Sequence, residues 1–129
     1  MLTALYASLC ALVIVKLSLG VIALRRKHQI RLGDGGIDEL HAAIRSQANA
    51  TEYIPITLLL MLLLELMHVS PWLIHLAGIS LLTGRLLHAS ALKTNDVKKR
   101  VLGMKITFFL IIALAVLNIV YLAFGYFSS

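Results

Sequence analysis

Residues 106–127 contain no Asp, Glu, Lys, Arg or His. A helix rises about 1.5 Å per residue, so a hydrocarbon core ~30 Å thick needs roughly 20 mainly apolar residues to cross it. Three further stretches approach that standard. Residues 2–24 carry one charge, Lys16; residues 53–69 carry one acid, Glu65; residues 72–92 carry Arg85 and two histidines. Hydrophobic residues make up 60% of the chain, where a soluble domain is nearer half. The expected fold is an all-α integral membrane protein, a bundle of four transmembrane helices, forming one domain over residues 1–129. No Lys or Arg precedes the first apolar run, and that run is too long for a typical signal core, so it is expected to stay as a helix.

The basic residues are unevenly placed. Arg25, Arg26, Lys27 and Arg31 follow the first run, and Lys93, Lys98, Lys99, Arg100 and Lys105 lie between the third and fourth. The turn near residues 68–71 has none. Short loops rich in Lys and Arg stay cytoplasmic, so both basic loops are expected in the cytosol and both termini on the other side. A nucleic-acid reader needs a basic soluble surface with groove-reading or stacking elements. None is legible, and no nucleic-acid partner is expected.

Local signals punctuate the runs. "LGDGG" at 32–36 is a turn whose glycines allow positive φ. Asp38 is placed to cap the second helix, with Glu39 beside it at the positive helix end. Pro55 removes a backbone donor inside that helix and marks a place for a kink. Pro71 suits the first position of the third helix, with Trp72 at the interface. "KTNDVKKR" at 93–100 reads as a polar connector. Cys10, the one cysteine, cannot form an internal disulfide and is expected to pack as a small hydrophobe.

The segment "RSQANATEYIP", 45–55, sets dense polarity at the mouth of an apolar run. At 100° per residue, Arg45, Asn49 and Glu52 fall at about 0°, 40° and −20°, with His41 near −40° and Gln47 elsewhere. One helix face thus carries a base, an amide and an acid. The plain reading is an ion-pair ladder at a solvated helix end. Against it, ionisable groups at membrane depth usually face a bundle interior or a wet cavity. Arg25 and Arg26 end the first helix, Arg85 and His88 share a face of the third, and Arg100 opens the fourth. Cations from four helices beside the acid Glu52 suit an anionic polar ligand. Lys16, Glu65 and Asn118 are expected to be structural. His68 and His75 flank a turn without a metal-binding spacing, and no metal site is expected. No HExxH, CxxC, phosphate loop or Ser–His–acid set is present.

The segment resembles the R-x-Q-x-N-x-x-E-Y-x-P pattern of the MAPEG family, the membrane-associated proteins in eicosanoid and glutathione metabolism. "LRRKH" after the first run and "GRLLH" in the third are also similar to that family. The likeness covers the whole chain and is to the small bacterial branch. It implies a homotrimer in a bacterial inner membrane that binds glutathione as co-substrate between neighbouring subunits near the cytosolic face. Arg45, Gln47, Asn49, Glu52 and Tyr53 match glutathione-contacting positions, and Arg85 and His88 match third-helix site positions. Arg100 matches the thiol-activating arginine, and Arg25 matches a basic residue at the first helix end, a second candidate for that role. Leu92 departs from the pattern: the animal enzymes have a tyrosine there.

The implied chemistry suits these residues. Arginines clamp carboxylates, and Glu52 can take an ammonium. A thiol of pKa near 8.5 is mostly protonated at neutral pH, and lowering it by about two units takes roughly 2.7 kcal/mol. The expected function is a glutathione-dependent transferase or peroxidase acting on lipophilic electrophiles that arrive from membrane lipid. The alternative is a non-catalytic protein of the same fold that binds a thiol or lipid. A small proton-coupled drug exporter fits poorly, because the first run holds Lys16 and no acid.

Overall fold

A computed structural model of the chain describes residues 1–128, with side chains to Gly125; the C-terminal Ser129 lies outside the described residues. Among the described residues there are four helices and no strand: α1 (Leu2–His28), α2 (Asp38–Leu66), α3 (Pro71–Thr94) and α4 (Val97–Ser128). The helices alternate in direction. Ser18 of α1 meets Gln47 of α2, while Leu2 and Thr3 meet Glu65. Tyr6 meets His75 of α3, and Asn118 of α4 meets the Leu60 carbonyl. The two basic connections therefore share one end, and the 67–70 turn lies at the other with Met1. α2 and α3 each touch all three other helices, whereas α1 and α4 do not touch each other.

The length and composition of a membrane-crossing helix are met by α1, α2 and residues Val97–Gly125 of α4. The sequence suggested four spans. α3, at 24 residues, has the length, but Trp72, His75, Arg85 and His88 dilute its apolar character. Its polar groups have a place to go: Arg85 and His88 are buried inside the bundle with Leu81, Gly84 and Ala91. The apolar windows of α1 and α4 are only 6% and 11% buried within the chain, against 33% for α2. Leu5, Leu12, Leu19, Phe109, Ile112 and Ile119 all point outward. Soluble monomers rarely expose such continuous apolar faces, and lipid is the solvent that accepts them.

In lipid, apolar burial does not drive helices together, so close approach and interhelical hydrogen bonds matter more. α3 and α4 approach at glycines. A Cβ on Gly103 would lie 2.7 Å from the Gly84 carbonyl oxygen and 2.9 Å from the His88 backbone nitrogen. At the other end, Glu65 accepts from the Leu2 and Thr3 N–H groups at 2.5 and 3.0 Å. A carboxylate there complements the positive end of α1. Tyr6 Oη pairs with His75 Nδ1 at 2.6 Å, and its ring fills the space beside Gly78. Asn118 donates to the Leu60 and Leu114 carbonyls. Glu65 and Asn118 thus have the structural roles expected of them; Lys16 is exposed.

The connections correct two readings of the sequence. Asp38 does not cap α2: Ile37 is the cap residue, and no side chain bonds there. Asp34 does the local work, accepting from Gly36 N–H at 2.9 Å and pairing with His41 at 2.8 Å. The Gly36 bond, and then His41, hold its carboxyl below the ordinary value. His41 therefore faces the loop rather than a ligand. The 93–100 connector is shorter than its polarity suggests, because α3 runs to Thr94 and α4 begins at Val97. Asn95, at φ 57°, makes the left-handed turn between them. Gly33, Gly35 and Gly36 have the positive φ anticipated for their turn. α2 continues through Pro55, and Pro71 opens α3.

The α3–α4 contact yields a test. Gly103→Ala forces backbone against backbone, where no flexible side chain can yield. The expected loss is about 1–3 kcal/mol, read as a lower unfolding midpoint in detergent. Gly125→Ala, where a Cβ meets nothing within 4 Å, should unfold like the parent.

Candidate functional site

Arg85 is the deepest charged group of the bundle. It is 2% exposed and lies about two and a half turns before the end of α3. Its Nη1 donates to Asn49 Oδ1 on α2. Its Nη2 donates to Thr107 Oγ1 at 2.7 Å and touches Met104 Sδ at 3.4 Å, both on α4. The guanidinium carbon lies 5.6 Å from the centre of the Tyr53 ring, a cation–π distance. Tyr53 stands edge-on to Phe108 at 5.4 Å. Arg85 Nε is buried without a partner, and among the described residues no carboxylate pairs with the side chain. A guanidinium stays charged, so this bundle holds a positive charge that its own acids do not balance.

His88 is one turn further along α3 and 6% exposed. Arg45 of α2, Arg85 of α3 and Arg100 of α4 lie toward the same end of the bundle. Arg45 and Glu52 form an extended pair along α2, 3.9 Å apart, with half of each side chain exposed (48% and 51%). Arg100 is exposed in the first turn of α4. The sequence-derived group therefore divides. Asn49, Tyr53, Arg85 and His88 converge in the interior, and Arg45 and Glu52 form an outer stripe beside them.

Gln47 and Arg25 are placed differently. Gln47 Nε2 points to Ser18 Oγ of α1 at 3.5 Å, about 200° round α2 from Arg45. Arg25 donates to the Gly33 carbonyl at 2.7 Å and lines a shallow groove of about 660 Å³ with Ile22, Arg26 and Arg31. A second groove, of about 410 Å³, lies on the α3–α4 surface around Ser80, Leu102 and Phe109. Neither groove includes Arg45, Glu52 or Arg85. The sequence-derived residues therefore lie on different sides of α2, Arg45 and Glu52 on one and Gln47 on the other.

Thr107 and Met104 were not singled out in the sequence. Thr107 is the first hydroxyl of α4, at the start of its long uncharged run, and also donates to the Gly103 carbonyl. That isolated polarity is the available signal. Its pairing with Arg85 depends on the glycine contact between α3 and α4, which no spacing within one helix reveals.

A helical membrane protein with an arginine-centred polar site between α2, α3 and α4 is the class these features define, and a family comparison gives it a name. The model of the MAPEG family matches residues 3–120, and the chain belongs to that family. It is similar to the inner membrane protein YecN of Escherichia coli strain K12, with 40% identity over 122 residues, covering 95% of this chain and 93% of that protein. The YecN of strain O6:H1 is equally similar.

The Arg85 shell is testable apart from any ligand. Thr107→Val removes one acceptor while keeping the shape, leaving a buried charged donor unsatisfied. The expected cost is about 1–3 kcal/mol, measured by thermal unfolding in detergent. Thr51→Val, at an exposed hydroxyl bonded only to the Ala48 carbonyl of its own helix, is the control and should change the midpoint little.

Proposed function

We propose that this MAPEG protein is a glutathione-dependent transferase or peroxidase acting on lipophilic electrophiles, assembled as a homotrimer in a bacterial inner membrane with its site between copies. The supporting observation is Arg85, a buried guanidinium without an internal counter-ion, bonded to Asn49 of the helix that also carries the Arg45–Glu52 pair. Glutathione carries two carboxylates and one ammonium. Arg45 and Arg85 offer donors for a carboxylate, Asn49 and Tyr53 add polar and aromatic contacts, and Glu52 takes the ammonium. His88 lies beside the thiol end. Gln47, which faces α1, and Arg25, at the end of α1, join the site through the family positions they match. The inner-membrane placement is supported by the name of the YecN relatives.

Arg100 is exposed in the first turn of α4, and on this reading its side chain reaches a thiol at the mouth of the site. A guanidinium beside sulfur stabilises the thiolate, which then attacks an apolar electrophile entering from lipid. The sulfur forms a new bond to the electrophile, and the leaving group departs with the displaced electron pair. Leu92 favours the second reading, a non-catalytic protein that binds a thiol or lipid, because a partly buried aliphatic stands where a hydroxyl would help hold glutathione.

Calorimetry and thiolate absorbance separate the two readings. Glu52→Gln and Arg45→Ala should each weaken glutathione roughly 10- to 150-fold, the cost of one charge-assisted hydrogen bond. Arg100→Ala should leave binding largely intact and raise the apparent thiol pKa, so that rate falls at neutral pH and partly recovers at high pH. Arg25→Ala reports whether the second cation does this instead. Binding without a thiolate signal in the parent would favour the non-catalytic reading, and no binding would remove glutathione altogether.

The proposed orientation puts both basic loops in the cytosol. In a Cys10→Ala background, a cysteine at Leu32 or Lys98, both exposed, should react with an impermeant maleimide only in inside-out vesicles. A cysteine at Ser70 should react only in right-side-out vesicles. The reverse pattern would invert the topology and close cytosolic access to the site.

A further inference from the structure

Lys16 is the least expected charge in the molecule. It is exposed near the middle of α1, about 14 Å along the helix from Arg25. If Arg25 marks the interface, that depth is close to the centre of a hydrocarbon core ~30 Å thick. A lysine stem reaches roughly 6 Å, so snorkelling leaves the ammonium well short of water. Among the described residues it makes no ion pair. Ionisable groups at such depth almost always face protein or a water-filled cavity, and within one copy this one faces neither.

Two contacts fix the register of α1 against α2: Ser18 with Gln47, and Leu2 and Thr3 with Glu65. Between them, Lys16 stands level with residues 49–50, and Glu52 lies within one helical turn of that depth, about 4 Å away. Glu52 is the nearest acid along α2, and its side chain is 51% exposed and 3.9 Å from Arg45. The two opposite charges share a depth but cannot meet within one copy. Lys16 is about 200° round α1 from Ser18, and Glu52 about 140° round α2 from Gln47, so both point out of the α1–α2 seam. Copies related by rotation about the membrane normal keep every residue at its depth. Such a head-to-tail ring brings two different faces of the chain together, and the outer face of α1 and the stripe are two faces that carry opposite exposed charges.

We propose that Lys16 of one copy pairs with Glu52 of the adjacent copy, making the outer face of α1 the surface that closes the polar stripe. Gly20 lies one turn along the same face, and a Cβ there would meet nothing in its own chain, so the neighbouring backbone has room to approach. A carboxylate has about four lone-pair sites on its two oxygens. Glu52 can therefore hold Lys16 and Arg45 and still receive a ligand ammonium. The pair requires only that copies lie side by side in one membrane, not that they bind glutathione.

The test uses ligand-free full-length protein with two differently tagged copies in a Cys10→Ala background. A short bis-maleimide should link K16C copies to E52C copies, and should not link K16C copies to one another. In native mass spectrometry, K16M should insert and fold with parental helicity but assemble roughly 10- to 150-fold more weakly. K16E should weaken assembly at least as much, and the swap K16E/E52K should recover most of it. Assembly of K16M equal to the parent overturns the pairing, as does cross-linking no greater than with K16C alone. A parent that binds no glutathione leaves these outcomes unchanged, so failure of the ligand reading and failure of this contact are distinguishable.

Discussion

The arrangement of α2, α3 and α4 depends on accommodating one guanidinium. Arg85 is buried among apolar side chains and reaches both neighbouring helices, through Asn49 on one side and Thr107 on the other. A charge taken from water into protein carries a penalty of several kcal/mol unless its hydrogen bonds are made. Here most are made: both terminal nitrogens have partners, a ring lies beneath the plane, and only Nε is unpaired. The surrounding geometry follows. Asn49 must face α3, Thr107 must face back toward it, and Tyr53 must lie against Phe108 to present its ring.

That arrangement also explains why the helix that carries Arg85 and His88 turns them into the bundle. A lipid-facing Arg85 and His88 would be costly at that depth. Turning them inward leaves α1 and α4 to supply most of the apolar surface that lipid contacts. Inward placement in turn requires α4 to come close, and the glycines at 84 and 103 permit it. Backbone proximity positions Thr107 within 2.7 Å of the guanidinium. Small residues and buried polarity are one structural device in this bundle, since the first sets the distance over which the second acts.

α2 has two polar faces with different audiences. Asn49 and Tyr53 look into their own bundle, while Gln47 looks toward α1, and Arg45 and Glu52 remain half exposed. A soluble protein could leave such groups to water. At membrane depth they need protein or a wet cleft, and so does Lys16. On the proposed reading, the unbalanced internal cation, the outward acid and the outward lysine are completed by a second copy. Function, on the proposed reading, belongs to the assembly more than to the single chain.

Much of this was written locally. Unbroken apolar runs fixed the helices, because hydrogen-bond satisfaction in lipid leaves a segment few alternatives. The glycines of 33–36 and Pro71 marked turns through their own φ preferences. Helical spacing put Arg45, Asn49 and Glu52 on one stripe, and the pattern "RSQANATEYIP" identified the family. Other features were set only by tertiary structure. Asp34 rather than Asp38 orders the α2 entry, because loop geometry brings Gly36 N–H and His41 to it. Gln47, already about 200° from Arg45 on the helical wheel, meets Ser18 only because α1 packs on that side of α2. Thr107 joined the site, and Arg85 and His88 turned inward, through contacts between helices distant in sequence. Spacing along one helix specifies which side chains share a face. Which other helix that face meets, and how closely, is decided only when the bundle closes.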